Sequence, residues 1–371
     1  MPETFDVVFR GGGIKGVAFV GALEKLVAGK HATRRLVGSS AGAIFATSWA
    51  AGYTPAEMLK KVGERRDGKL VFASFLATAR RPEWVPELLW GPLSGTMNSM
   101  IRRAAKLIPK VDPDKAEGWG AKSLALTIGG AVCDDQPFRD WMGDVLKDKG
   151  IDPTTPLKAF HAAINKARPQ QLSLIAADIT AQNALVLNER TAPDLPILEA
   201  VRMSMGIPFV WKEVAWKEAW GFYHGRDIAG HDVVDGGLLT NFPVRFLLDP
   251  HYSKAGEVLG PPPAGAAATV GLLLDNAKAI PDLPDVREDE YLVEAMPVVR
   301  LASRLLDTML DAWDKDTLRQ SAPAGKEDAF LCRIGTRGIG ALDFDLADDR
   351  LAALVNAGRC GMQEFLDRRK K

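Results

Sequence analysis

The feature that most constrains this chain is a pattern that occurs twice within its first 52 residues. A short β-rich run, Phe5 to Arg10, stops at Gly11-Gly12-Gly13, and a helix-forming stretch from Val17 to Ala28 follows. Arg34 to Val37 then leads into Gly38-Ser39-Ser40-Ala41-Gly42, and a second apolar stretch (AIFATSWAAG) follows. Strand, glycine-bounded turn and helix in succession predict an open α/β sheet, with its loops gathered at the carboxyl ends of the strands. The run from Leu36 to Ala56 carries no charge, so it needs weighing as a membrane span. Gly38, Gly42, Gly52, Ser39, Ser40, Thr47 and Ser48 crowd it, whereas a spanning helix wants mostly large apolar residues. We read it as a strand, a sharp turn and a buried helix.

The rest of the chain fits one large α/β unit. Of 371 residues, 47% are hydrophobic and 25% charged, which is ample for a core. The 47 Lys+Arg balance 47 Asp+Glu, so no global field draws the chain to nucleic acid or to an anionic membrane. Cys133, Cys332 and Cys360 form neither a disulfide framework nor a zinc pattern. With no signal peptide visible in MPETFDVVFRGGG, they suit a cytoplasmic protein, peripheral at a membrane at most. Further strands are expected at Leu172 to Ala177, Ala184 to Leu187, Val233-Val234 and Ala268 to Leu274. A helix should run from Pro196 until Gly206 and Pro208 stop it. Long amphipathic helices are expected over 295–320 and 351–369. Residues 64–125 are rich in Pro and Trp and predict broken helices, within an insertion spanning 64–170. The expected organisation is a single domain over 5–371, with a mainly helical part from 276 to 371. The proline run at 261–265 is a loop inside it.

Three motifs carry chemistry. Gly11 to Gly16 reads GGGIKG and satisfies the loose dinucleotide pattern GxGxxG. A nucleotide-binding enzyme would then need an acid at the end of the second strand for the ribose, and Gly38-Ser39-Ser40 stands there. Val17 replaces the Lys of a phosphate-binding loop. The alternative use of the glycines is a set of backbone N–H groups aimed at developing negative charge. Gly38 to Gly42 is GxSxG, with Ser40 where a nucleophile would stand exposed at a strained turn; a plain N-cap serine is the simpler use. Asp235, in VVDGGLLTNFPV, is either a turn residue or the acceptor of a serine proton.

Taken together, GGGIKG, GSSAG and Asp235-Gly236-Gly237 followed by Asn241 and Pro243 resemble the patatin-like phospholipase family, whose motifs are GGGx(K/R)G, GxSxG and DG(G/A). Weaker echoes are Ala177 to Thr180 and Arg202 to Pro208, and the resemblance covers about residues 5–275. It implies a patatin-like three-layer α/β/α fold: an open, mostly parallel central sheet flanked by helices, here with an inserted helical segment. It implies a lipid acyl hydrolase of phospholipase A or lysophospholipase type, acting on phospholipid or lysophospholipid with transient membrane-surface contact. Ser40 would be the nucleophile and Asp235 its direct base. Gly11, Gly12 and Gly13 would form the oxyanion hole, with Gly12 and Gly13 the main donors and Gly11 and Gly16 permitting the turn. Lys15 would hold the loop or face an anionic head group, and Gly38, Gly42, Gly236 and Gly237 would support the motifs. No cofactor, metal or nucleic acid is implied. A Ser, Asp, His triad would require His251. A non-catalytic interaction protein of the same family is the alternative, though it would have no need for both Ser40 and Asp235. Residues 70–108, with Val71, Phe72, Phe75, Trp84 and Trp90, either meet lipid or cover the site entrance, or else pack on the core.

Overall fold

The computed structural model describes residues 1–76, 87–105, 133–167, 169–281, 283 and 327–370. Its first half runs β1 (Thr4–Phe9), α1 (Ala18–Ala28), β2 (Ala32–Ser39), α2 (Ala41–Ala50), α3 (Pro55–Val62), a hairpin of β3 (Arg65–Arg66) and β4 (Lys69–Leu70), α4 (Glu87–Ala105), α5 (Gln136–Lys147) and α6 (Leu157–Ala167). The second half follows with β5 (Gln171–Asp178), β6 (Asn183–Leu187), α7 (Ile197–Met205), β7 (Val214–Ala215), β8 (Asp232–Asp235), β9 (Ala268–Asp275), β10 (Leu331–Gly335) and α8 (Asp348–Lys370).

Successive side chains of a strand face opposite sides of its sheet, and here both sides are apolar. Phe5, Val7 and Phe9 of β1 join one core, while Val8 joins another. Leu172, Leu174 and Ala176 of β5 divide from Ile175 in the same way, as do Leu272 and Leu274 of β9 from Leu273. A sheet buried on both faces needs a layer on each. The larger core takes α1, α2, α5, α7 and α8, and the smaller is covered by the segment from Phe242 to Leu259. This is a three-layer arrangement around a mixed sheet ordered β10-β9-β1-β2-β5-β8-β7, with β6 also paired to β5. The pairs among β10, β9, β1, β2 and β5 are parallel, and those of β5 with β6 and β8, and of β8 with β7, are antiparallel. From β1 the chain builds outward through β2 to β5 and only later returns to β9 on the other side. The loop after β1 therefore lies where the strand order reverses, a position at which open α/β sheets bind ligands.

The uncharged run resolves as β2, the turn at Ser40 and α2, which is buried at every position. Among the described residues no helix is long and apolar enough to cross a membrane. Pro92 lies inside α4, and the other prolines of the 64–125 stretch lie outside the described residues. The 70–108 segment divides. Val71, Phe72 and Phe75 pack into the core, whereas Leu88, Leu89, Leu93 and Met100 of α4 are exposed. Trp84 and the helix expected over 295–320 lie outside the described residues, and the one expected over 351–369 falls within α8.

Candidate active site

β2 ends at Ser39 and α2 begins at Ala41, so a single residue must turn the chain. Ser40 does this at φ 54° and ψ −126°, a conformation that costs a residue with a side chain about 1–3 kcal/mol. The turn closes because Gly42 has no side chain. A Cβ there would lie 2.1 Å from the carbonyl oxygen of Phe9, on the neighbouring strand. Gly38 faces Gly42 with as little room. Ser40 is held at the amino end of α2, where the helix dipole favours negative charge.

The sheet register brings the second group alongside. Ser39 pairs with Ile175, and Asp235 with Ala176, so the two are neighbours along β5. Ser40 Oγ donates to Asp235 Oδ2 at 2.6 Å, and Asp235 Oδ1 accepts the Gly237 N–H at 2.7 Å. The end of α7 holds both partners by their backbones. Ser40 N–H donates to the Ser204 carbonyl at 3.1 Å, and Asp235 N–H to the Gly206 carbonyl at 2.9 Å. Ser204 Oγ in turn donates to the Ile175 carbonyl at 2.5 Å. The only advance sign of this was the Arg202 to Pro208 echo, which carried no role for Ser204. Burial pushes the Asp235 carboxyl up to about 7, against the pull of its bonds from Ser40 and Gly237.

All five histidines lie in the described residues, and none bonds to Ser40 or Asp235. His231 Nδ1 lies 2.8 Å from Asp178, His31 Nδ1 accepts the Glu3 N–H, and His161 meets Asn165. His224 lies 3.9 Å from Glu257, and His251 is exposed. His251 is thus not placed as the third member of a triad.

The glycine loop borders Ser40, since a Cβ on Gly11 would lie 2.9 Å from the Ser40 Cβ. Gly11 itself cannot be a donor to an oxyanion, because its N–H is committed to the Asn241 carbonyl at 3.0 Å. This corrects its expected share in the hole. The Gly12 and Gly13 N–H groups meet no acceptor among the described residues. Gly13 has φ 58°, and a Cβ there would lie 1.9 Å from the Ala341 carbonyl oxygen. An alanine at Gly13 would therefore displace backbone from the Ala341 loop, and not simply reorient an N–H. Lys15 is buried and its Nζ donates to Asn276 Oδ1 at 2.9 Å, which ties the loop to the end of β9. Gly16 packs against Phe45 of α2, and Gly236 against the Ile175 carbonyl.

Ser40 and Gly13 open onto a pocket of about 430 Å³ including its mouth. Val17, Ile44, Phe45, Met205, Ile207 and Trp211 line it with carbon. Nothing among the described residues groups three or more His, Cys, Asp or Glu as metal ligands. The arrangement offers a hydroxyl with an adjacent proton acceptor, unoccupied N–H donors beside it and an apolar recess.

A family model described as patatin-like phospholipase matches residues 7–248. The uncharacterized protein YqhO of Bacillus subtilis (strain 168) is 26% identical over 369 residues, covering 97% of each chain. Among solved structures, VipD from Legionella pneumophila is similar at TM-score 0.48 and 14% identity, over 99% of this chain and 67% of that one. The type III effector ExoU is similar at TM-score 0.40 and 14% identity, and this chain spans 53% of its length.

Proposed function

The chain belongs to the patatin-like phospholipase family, and from that premise we propose that it is a lipid acyl hydrolase of phospholipase A or lysophospholipase type. The observation that carries the proposal is the 2.6 Å bond from Ser40 Oγ to a buried Asp235 with no histidine between them. Asp235 Oδ2 takes the Ser40 proton as Oγ attacks the carbonyl carbon of the ester, and the carbonyl electrons move onto its oxygen. The Gly12 and Gly13 N–H groups receive that oxyanion, helped by the amino end of α2. Collapse expels the alcohol, which leaves with the proton from Asp235, and an acyl-Ser40 remains. Water then gives a proton to Asp235 and attacks the acyl carbon, releasing the fatty acid and restoring Ser40. A carboxyl whose affinity for protons lies near 7 is a stronger base than an ordinary aspartate and suits this exchange at neutral pH. The dyad is proposed to work within a single catalytic unit over 5–371, in the cytoplasm and in transient contact with a lipid surface.

A fluorophosphonate probe should label the native protein once. Ser40→Ala should abolish that labelling and lower hydrolysis of a short p-nitrophenyl ester by about 10³-fold or more. Labelling at another residue, with Ser40→Ala still active, would overturn the assignment. A native protein that neither labels nor hydrolyses any ester would favour the non-catalytic interaction protein.

A further inference from the structure

Of the two groups flanking an ester carbonyl bound at Ser40, one is apolar and the other carries the polar alcohol. Apart from Ser40 the pocket is lined by apolar residues and Gly13, and a polar group entering it would give up water for little return. We propose that this pocket takes the acyl chain, and that the packed rings of Phe72, Phe75 and Phe344 set the longest chain it accepts. The proposal rests on the reading of Ser40 as the acylated residue.

The wall is built from two segments remote in sequence. Phe72 and Phe75 lie on the short helical turn Val71–Leu76, and Phe344 on the loop before α8. All three line the same pocket as Ser40. Their rings close on one another: the Phe72 and Phe75 centroids are 5.1 Å apart in an edge-on pair, and Phe344 lies 6.3 Å from the first and 6.4 Å from the second. A second rank stands behind them. Trp141 of α5 is 5.1 Å from Phe72 and 5.7 Å from Phe75, and Phe138 meets Phe75 at 5.6 Å and 90°. Rings packed on rings at these distances resist displacement, so the wall opposes a longer chain. Phe344 lies beyond the residues 7–248 matched by the family model, whereas Phe72 and Phe75 lie within them.

The test measures kcat/KM of the full-length protein on monomeric p-nitrophenyl butyrate, hexanoate, octanoate, decanoate and dodecanoate. Each methylene that enters the pocket should raise kcat/KM about fourfold, until the chain meets the wall and the rise stops or reverses. Phe344→Ala should move that break to longer chains, and Ile44→Phe, which narrows the pocket from α2, should move it to shorter ones. The two variants disturb packing in opposite senses, so loss of folding in one leaves the other informative. A native profile that climbs through dodecanoate without a break overturns the proposal, as does a break that stays put in a folded variant. Failure of the underlying reading looks different. The native protein would then hydrolyse none of these esters and take no fluorophosphonate at Ser40.

Discussion

Asp235 carries opposing demands on one carboxyl. Burial disfavours its charge, while proton transfer from Ser40 requires that charge. The two demands give separate pH signatures. The unfolded carboxyl ionises near 3.8 and the folded one near 7. Between those values the unfolded chain has released a proton that the folded chain still holds, so rising pH favours unfolding. The full contribution to stability is present below the unfolded value and is lost as pH climbs through the folded one. Asp235→Asn should therefore match the native protein in thermal stability near pH 4 and exceed it near pH 8, by up to about 4 kcal/mol. The amide can still accept from Gly237 and donate to Ser40, so the site keeps its bonds. Activity should respond in the opposite sense. In the native protein kcat/KM should rise with pH through an inflection near 7, and in Asp235→Asn it should be lost. A stability difference that does not change between the two pH values would show that the buried carboxyl is not protonated at neutral pH.

Among the elements, α7 braces the site while contributing no reacting group. Its last residues receive the backbone N–H groups of both Ser40 and Asp235, and Ser204 links them to β5 through the Ile175 carbonyl. Toward its middle, Arg202 and Glu199 join α7 to Asp135 and Arg139 at the start of α5. Ser204→Ala should cost about 1–3 kcal/mol in urea unfolding, because a fully buried hydroxyl that both donates and accepts is removed. Turnover should fall while KM stays within about twofold, since the variant loosens the turn holding Ser40 and touches no substrate. A large rise in KM with turnover intact would place Ser204 in substrate binding instead. The helix itself was legible from Pro196 and Gly206, because starts and stops are local. Its role was not, because that depends on bonds to residues 164 and 29 positions away.

At the scale of the molecule, the last helix is built into the first. The α1 and α8 backbones approach so closely that a Cβ on Gly358 would lie 1.8 Å from the Ala18 carbonyl oxygen, and one on Gly21 would lie 1.9 Å from that of Val355. Arg359 and Glu24 form an ion pair beside this contact. Since α1 follows directly from the glycine loop, α8 supports the oxyanion side of the candidate site from the far end of the chain. Gly358→Leu should destabilise the whole protein by about 3 kcal/mol, seen as a single shifted urea transition. An early, separate transition would mean that the carboxyl-terminal part unfolds by itself and is a distinct domain.

The sequence by itself determined the sheet, the loop, the turn at Ser40 and the candidacy of Asp235. Each of these is a local requirement: a short apolar run of strand length, or the absence of a side chain where the backbone must turn or two backbones touch. Tertiary structure alone decided which N–H groups of the loop remain open, since the Gly11 donor is engaged by Asn241. It also decided that Lys15 reaches Asn276, 261 residues along the chain, and that Phe72 and Phe75 face the pocket and not a lipid surface. The proton affinity of Asp235 belongs to the same class, because burial is contributed by strands and helices drawn from the whole chain. Contacts between distant residues leave no period or spacing in the sequence, so their consequences exist only once the layers have closed around them.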